Sequence, residues 1–167
     1  PAKFPALLAN GSTGISAGYA TEIPPHNIDE IIKGAIYRIN HPNCSLEKMM
    51  DIIPGPDFPT GAIIQDNGAI KDAYKTGKAK IVLKSKTEIV EGAKCNQLVI
   101  TEIPYNVVKS VLVKKMSEVY VAKNIDGILD IRDESDRHGL RIVVDIKKEV
   151  NAEYIRDFFF KSTDLQV

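Results

Sequence analysis

Apolar residues recur along this chain with two different periods, and the switches between them predict its elements. After Pro24-Pro25, Ile28, Ile31, Ile32, Ala35, Ile36 and Ile39 fall at i, i+3, i+4, i+7, i+8 and i+11, one stripe of a predicted helix. Asn27 supplies its N-cap, and Glu30 three residues on completes a capping-box pattern. A second short helix is predicted from Ser45, burying Leu46, Met49, Met50 and Ile53 and stopping at Pro54. "PGPDFPTG" (54–61) reads as a connector, because each proline fixes its own φ and restricts the residue before it. "AIIQ" predicts a short strand, and residues 67–76 a helix closed by Gly77.

The period then shortens to two. Strands are predicted at roughly 78–90 and 96–103, joined by a turn at "EGAK". A helix follows over about 106–123, with Val108, Val111, Leu112, Met116, Val119 and Tyr120 on its inner side. "GILDIRDE" and "LRIVVDIKK" pair as strands around "SDRHG", and a last helix (151–161) presents Ile155, Phe158 and Phe159. Helices interleaved with hairpins predict an α+β fold, a two-layer α/β sandwich with a mixed or antiparallel sheet. The segment before Pro24 reads as the tail of a neighbouring domain.

Composition narrows the class. At 167 residues the chain has room for one domain with a piece of a second, and 44% hydrophobic with 26% charged residues is ordinary soluble protein. Cys44 and Cys95 form no CxxC pair and imply no disulfide framework, which fits a reducing cytoplasm. No apolar run approaches a membrane span, and no signal peptide is visible. A start at Pro-Ala-Lys-Phe and an end at "STDLQV" lead us to expect a piece of a longer protein. Net charge is zero, but residues 68–123 hold eleven lysines against five carboxylates, +6, with −6 over the rest. That asymmetry predicts an electropositive surface.

Alternation along "KAKIVLKSKTEIV" puts Lys78, Lys80, Lys84 and Lys86 on one strand face, with Val82 among them, and Ala79, Ile81 and Leu83 on the other. Lys80 to Lys86 would span roughly 20 Å, enough to follow several phosphates. The same row also suits a solvated edge strand guarded against aggregation. In "NGSTGISAGYATEIPPHN" (10–27), Gly11, Gly14 and Gly18 imply sharp bends or close approach of a neighbour. No lysine lies between Lys3 and Lys33, so this is not a P-loop. Asn10, Ser12, Thr13 and backbone N–H groups are suited to phosphate oxygens, and an exposed Ile15 to wedging a base step. Taken alone, a tight turn burying Ile15 is the commoner arrangement. His26, His41 and His138 lack metal-ligand spacing and suit capping or surface roles. "RDESDRHG" lacks EF-hand spacing and reads as a salt-bridged turn. The six tyrosines read as packing residues, and no catalytic triad assembles.

Long blocks nevertheless stand together in order: "FPALLANGSTGISAGYATEIPPHN", "PGPDFPTGAII", "TEIPYNVVKSVLVKKM" and "RDESDRHGLRIVVDIKK". With them the chain resembles the A subunits of bacterial type IIA DNA topoisomerases, and "TGISAGYATEIPPHN" is closer to the topoisomerase IV branch than to gyrase. The resemblance implies an ATP-dependent parent that cuts one duplex, passes another through and reseals the break. It implies residues 1–25 as the end of a winged-helix head and 26–167 as an incomplete tower domain. The catalytic tyrosine and its arginine would lie upstream of Pro1, leaving none here, and ATP and Mg2+ would belong to the B subunit, leaving no cofactor or metal on this chain. It maps the base-step wedge onto Ile15, phosphate contacts onto Asn10 and Ser12, and support of the bent duplex onto Lys78, Lys80, Lys84 and Lys86. Implied partners are double-stranded DNA, a second A subunit, and the topoisomerase IV B subunit in an A2B2 enzyme, without a membrane, in the bacterial cytoplasm. The alternatives are the equivalent piece of gyrase, a phosphate-binding metabolic enzyme using the Gly11–Gly18 loop, and a purely structural interaction module.

Overall fold

Local capping and distant strand pairing divide the work of shaping this chain. The computed structural model describes residues 2–167. It divides into two units, one made of the residues up to Pro59 with Asp66–Ile81, the other of Thr60–Gln65 with Val82–Val167.

In the first unit, helix α1 (Ala6–Asn10) leads into a hairpin of β1 (Ser12–Ser16) and β2 (Tyr19–Ile23). Helix α2 (Ile28–Asn40) then starts at the predicted cap, where the Asn27 side-chain oxygen accepts from the N–H groups of Asp29 (3.0 Å) and Glu30 (3.3 Å). Helix α3 (Leu46–Ile52) starts at Ser45, whose hydroxyl accepts from the Lys48 N–H. Helix α4 (Ala69–Thr76) ends at Gly77 in the left-handed conformation, as its sequence predicts.

The α2 stripe, however, is not the buried face. Ile31 and Gly34 are buried, while Ile28, Ile32, Ile36 and Ile39 are exposed. The reason is Gly34: a Cβ there would lie 2.6 Å from the Ile53 side chain, so α2 meets the end of α3 through its glycine. A glycine contact leaves no mark in a hydrophobic pattern.

In the second unit, β5 (Lys86–Glu91), β6 (Asn96–Glu102), β8 (Ile142–Ile146) and β7 (Ile128–Asp133) form a four-stranded sheet in that order, antiparallel throughout. Leu98 and Ile100 on β6 share a face with their partners Val144 and Ile142 on β8. Onto that face pack Leu112 and Met116 of α5 (Lys109–Val121) with Ile155 and Phe159 of α6 (Ala152–Ser162), all fully buried. Each such side chain stabilises by roughly 1.5–3 kcal/mol. Contrary to the predicted inner side of α5, Val108, Val111 and Tyr120 are exposed, and Val113 packs on the core instead. Three consecutive apolar residues, 111–113, leave the phase of that helix open to the sheet to decide.

The opposite sheet face carries a polar network. The Arg132 guanidinium donates to Asp145, Asp130 and Glu134, and Gln97 donates to Asp145 at 2.9 Å. Arg141 adds a bond to Glu134 at 3.2 Å, so the turn is salt-bridged as its sequence suggests. Arg132 holds the Asp145 carboxyl below the usual carboxylate range.

The continuous strand expected over 78–90 does not form. Residues 78–81 lie outside any strand, β4 is only Val82–Lys84, and β5 begins in a different sheet at Lys86. The cause is a change of partners. β4 pairs with β3 (Ile63–Gln65) and exchanges backbone bonds with Val167, while the Ser85 N–H goes to Leu165 and β5 turns to β6.

Candidate nucleic-acid interface

Glycine starts the hairpin. Gly11 has φ +70°, and a Cβ on it would overlap the Ile23 carbonyl oxygen and crowd the Pro24–Pro25 backbone. Strands β1 and β2 pair in register from Ser12↔Ile23 to Ser16↔Tyr19, leaving Ala17 and Gly18 as a two-residue turn with φ +80° at Gly18. Thr13, Ile15, Ala20 and Glu22 thus share one face, and Ser12, Gly14, Ser16 and Tyr19 the other.

Neither face of this hairpin is covered. Ile15 is 89% exposed and Tyr19 83% exposed, and every residue from Thr13 to Glu22 lies in the exposed class. The buried Ile15 of an ordinary tight turn is therefore not what forms, and Tyr19 is not a packing residue. Asn10, at the end of α1, is exposed, and Ser12 is half-buried at the hairpin root. Ile15 stands about 10 Å further out along the strand and on the opposite face from Ser12. Asn10, Ser12 and Ile15 therefore line one arm from root to tip without converging on a point.

The root is fastened by a residue assigned only a capping or surface role above. His26 is buried, at 6% exposure. Its backbone N–H donates to Leu8 O at 2.9 Å, and its ring Nδ1 lies 2.9 Å from Pro24 O and 3.2 Å from Leu8 O. Facing two carbonyls, Nδ1 carries the hydrogen and donates; in the neutral ring Nε2 then accepts from the Tyr74 hydroxyl at 2.7 Å. Burial, with the Glu30 carboxylate adding to it, pushes the Tyr74 hydroxyl up to about 12, so it remains a donor at neutral pH. No local pattern in "PPHN" announces the bonds to Leu8 and Tyr74, because those partners lie 18 and 48 residues away.

The four lysines fall into two pairs. Lys78 and Lys80 belong to the first unit, are exposed, and make no ion pair among the described residues. Lys84 and Lys86 belong to the second unit. The Lys84 ammonium sits 5.7 Å from the centre of the Phe160 ring, and Lys86 pairs with Glu102 at 3.6 Å. Because the predicted strand is broken, alternation no longer aligns the four. Ala79 is exposed, whereas Leu83 is buried as alternation requires.

Among the described residues no cluster of three or more His, Cys, Asp or Glu could hold a metal ion, and no helix is long and apolar enough to cross a membrane.

Comparison with known proteins identifies the family. The family model for the A subunit of DNA gyrase/topoisomerase IV matches residues 1–167. The chain is 57% identical to the A subunit of DNA topoisomerase 4 from Streptococcus pyogenes serotype M3 and 54% identical to that of Bacillus subtilis. Against the protein of the same name from Streptococcus pneumoniae serotype 4 the identity is 56%. Each alignment covers 100% of this chain but only 20% or 21% of the relative, so the chain spans about a fifth of the length of these relatives. A match that runs through every element described above, at more than half identity, makes this chain a member of the family of DNA gyrase/topoisomerase IV A subunits.

Proposed function

We propose that this chain is a DNA-binding piece of a topoisomerase IV A subunit, supporting and bending the duplex that the parent enzyme cleaves and reseals. The observation that carries the reading is the bare hairpin. A two-stranded hairpin is marginal in water by itself, and exposing a large aliphatic at its tip adds nothing to folding. Such an arm makes physical sense when a partner covers it.

A duplex supplies that cover. Ile15 inserted at a base step from the minor groove leaves water, which is worth roughly 1.5–3 kcal/mol, against an unstacking cost of a few kcal/mol per step. Phosphate contacts along the bent arms offset the remainder, and Asn10, Ser12, Lys78, Lys80, Lys84 and Lys86 are the side chains assigned to them. Residues 1–25 are read as the end of the winged-helix head and 26–167 as tower, a two-layer sandwich in which α5 and α6 cover one face of the four-stranded sheet.

The parent reaction is strand passage by an A2B2 enzyme in the bacterial cytoplasm, in which the protein carrying this chain pairs with a second copy of itself and with the B subunit. ATP and Mg2+ enter through the B subunit, and the transesterifying tyrosine comes from elsewhere in the A subunit, so this chain acts by binding and shaping DNA alone. Relatives named as A subunits of DNA topoisomerase 4 favour this branch over gyrase.

Ile15→Ala in the full-length protein, assembled with its B subunit, tests the wedge. End-labelled duplexes report bending by energy transfer, and titration reports affinity. The expected result is a several-fold smaller bent fraction with affinity changed less than threefold. Equal bending by mutant and wild type would falsify the wedge role.

A further inference from the structure

We propose that His26 is the positioning residue of the hairpin arm, the joint that fixes the direction in which Ile15 points. The inference rests on the wedge reading given above and assigns a residue that reading does not use.

The arm has two ends, Gly11 entering β1 and Pro24 leaving β2, and His26 bonds to both sides of the opening. Through Leu8 it holds α1, one turn before Gly11, with two hydrogens, the backbone N–H and Nδ1–H. Through Pro24 O it holds the exit strand, at 2.9 Å. On its far side Nε2 receives the Tyr74 hydroxyl from α4, which stops the ring from rotating about its Cβ–Cγ bond. The ring planes of His26 and Tyr74 lie 30° apart with centroids separated by 5.9 Å, so the pair is packed as well as bonded.

Nothing else among the described residues restrains the arm beyond its root. Residues 13–22 are exposed, so no packing contact corrects an error in angle there. A rotation at the root is carried to the tip in proportion to length: with Ile15 about 10 Å out, a tilt of about 10° moves it by nearly 2 Å. A displacement of that size takes a side chain from between two base pairs to a position against one of them. Gly11 sets how closely the two ends of the arm approach, and His26 sets the angle at which they leave.

Because imidazole acts here through two separable contacts, substitution can take them apart. Asn places an amide N–H where Nδ1–H stands and keeps the bonds to carbonyl oxygens, losing only Tyr74. Ala removes both. Tyr74→Phe keeps the carbonyl bonds and the ring packing and removes the hydroxyl alone. The experiment uses the full-length protein in complex with its B subunit, with end-labelled duplex for bending and titration for affinity. Ile15→Ala runs alongside as the reference.

His26→Ala is expected to lower the bent fraction at least threefold with the dissociation constant changed less than twofold. His26→Asn should recover more than half of that loss, and Tyr74→Phe should fall between Ala and wild type. A residue that only stabilised its unit would shift affinity and bending together. The joint is rejected if Ile15→Ala lowers bending while His26→Ala bends DNA as wild type does, or if Asn is as poor as Ala. Bending by Ile15→Ala equal to wild type instead rejects the wedge, and the joint with it.

Discussion

Ala62 carries a backbone conformation that its own side chain disfavours. Gly61 and Ala62 have φ +72° and +76°, and the Ala62 N–H donates to Glu102 Oε2 at 2.7 Å, which holds the bend in place. A non-glycine residue in the left-handed region costs roughly 1–2 kcal/mol, more than the extra unfolded-state entropy glycine would bring. Ala62→Gly is therefore expected to stabilise the second unit by about 0.5–1 kcal/mol, read as a higher urea midpoint at unchanged slope. Gly11→Ala has the opposite sign for a related reason. Its φ of +70° strains any side chain, and a Cβ there runs into backbone rather than into a side chain able to move. A loss of about 2 kcal/mol or more in the first unit is expected, with chymotryptic cleavage at Tyr19 in the hairpin accelerating before global unfolding.

At the scale of elements, helix α5 is pinned to the sheet by charge as well as by its apolar face. Lys109 Nζ lies 2.8 Å from Asp133 Oδ2 on β7, and Lys115 Nζ lies 2.6 Å from Asp164 beyond α6. The Lys109 bond, with help from Ser135, draws the Asp133 carboxyl down to about 2. A carboxyl whose folded value lies below its unfolded value of about 3.9 adds stability that is complete above about pH 5. That stability is lost as pH falls through about 2. Wild type is expected to lose stability between about pH 4 and pH 2, and Asp133→Asn or Lys109→Met to lose less, by up to one proton's worth of slope. Urea midpoints measured from about pH 5 to pH 2 decide it, and parallel curves for all three would show that the pair contributes nothing. Elements of this kind differ in how well the sequence announces them. The Asn27 cap, the Gly77 stop and the inward Ile155 and Phe159 were legible, because cause and effect lie within a turn of helix. Two failures share the opposite property. The strand from Lys78 breaks because its two parts pair separately, β4 with β3 and the chain's last residues and β5 with β6, and α2 turns its isoleucines outward because Gly34 takes the contact with Ile53. Ile15 was legible as an exposed wedge through the family resemblance, while its local pattern alone favoured burial, since a glycine-rich stretch carries no record of what fails to cover it.

For the whole molecule, the +6 of residues 68–123 on a neutral chain is the property a duplex would sense first, but its lysines are not equivalent. Lys86 already has Glu102 at 3.6 Å, and Lys84 lies over the Phe160 ring, so each gives up a contact on meeting a phosphate. Lys78 and Lys80 give up only water. Each lysine that replaces condensed counterions on duplex DNA adds about 0.9 to the slope of log affinity against log salt. Equilibrium binding of this chain to a short duplex, repeated across salt concentrations, is expected to give a steep slope for wild type. Lys78→Glu with Lys80→Glu should flatten it by about 2, and Lys84→Glu with Lys86→Glu by less. That order follows from the bonds each pair already makes, whereas a uniform positive strand face predicts equal losses from the two. If neither pair changes the slope, the lysines guard exposed backbone against association and the arm alone meets DNA. Self-association of the two double mutants, followed by light scattering at low salt, would then rise above that of wild type.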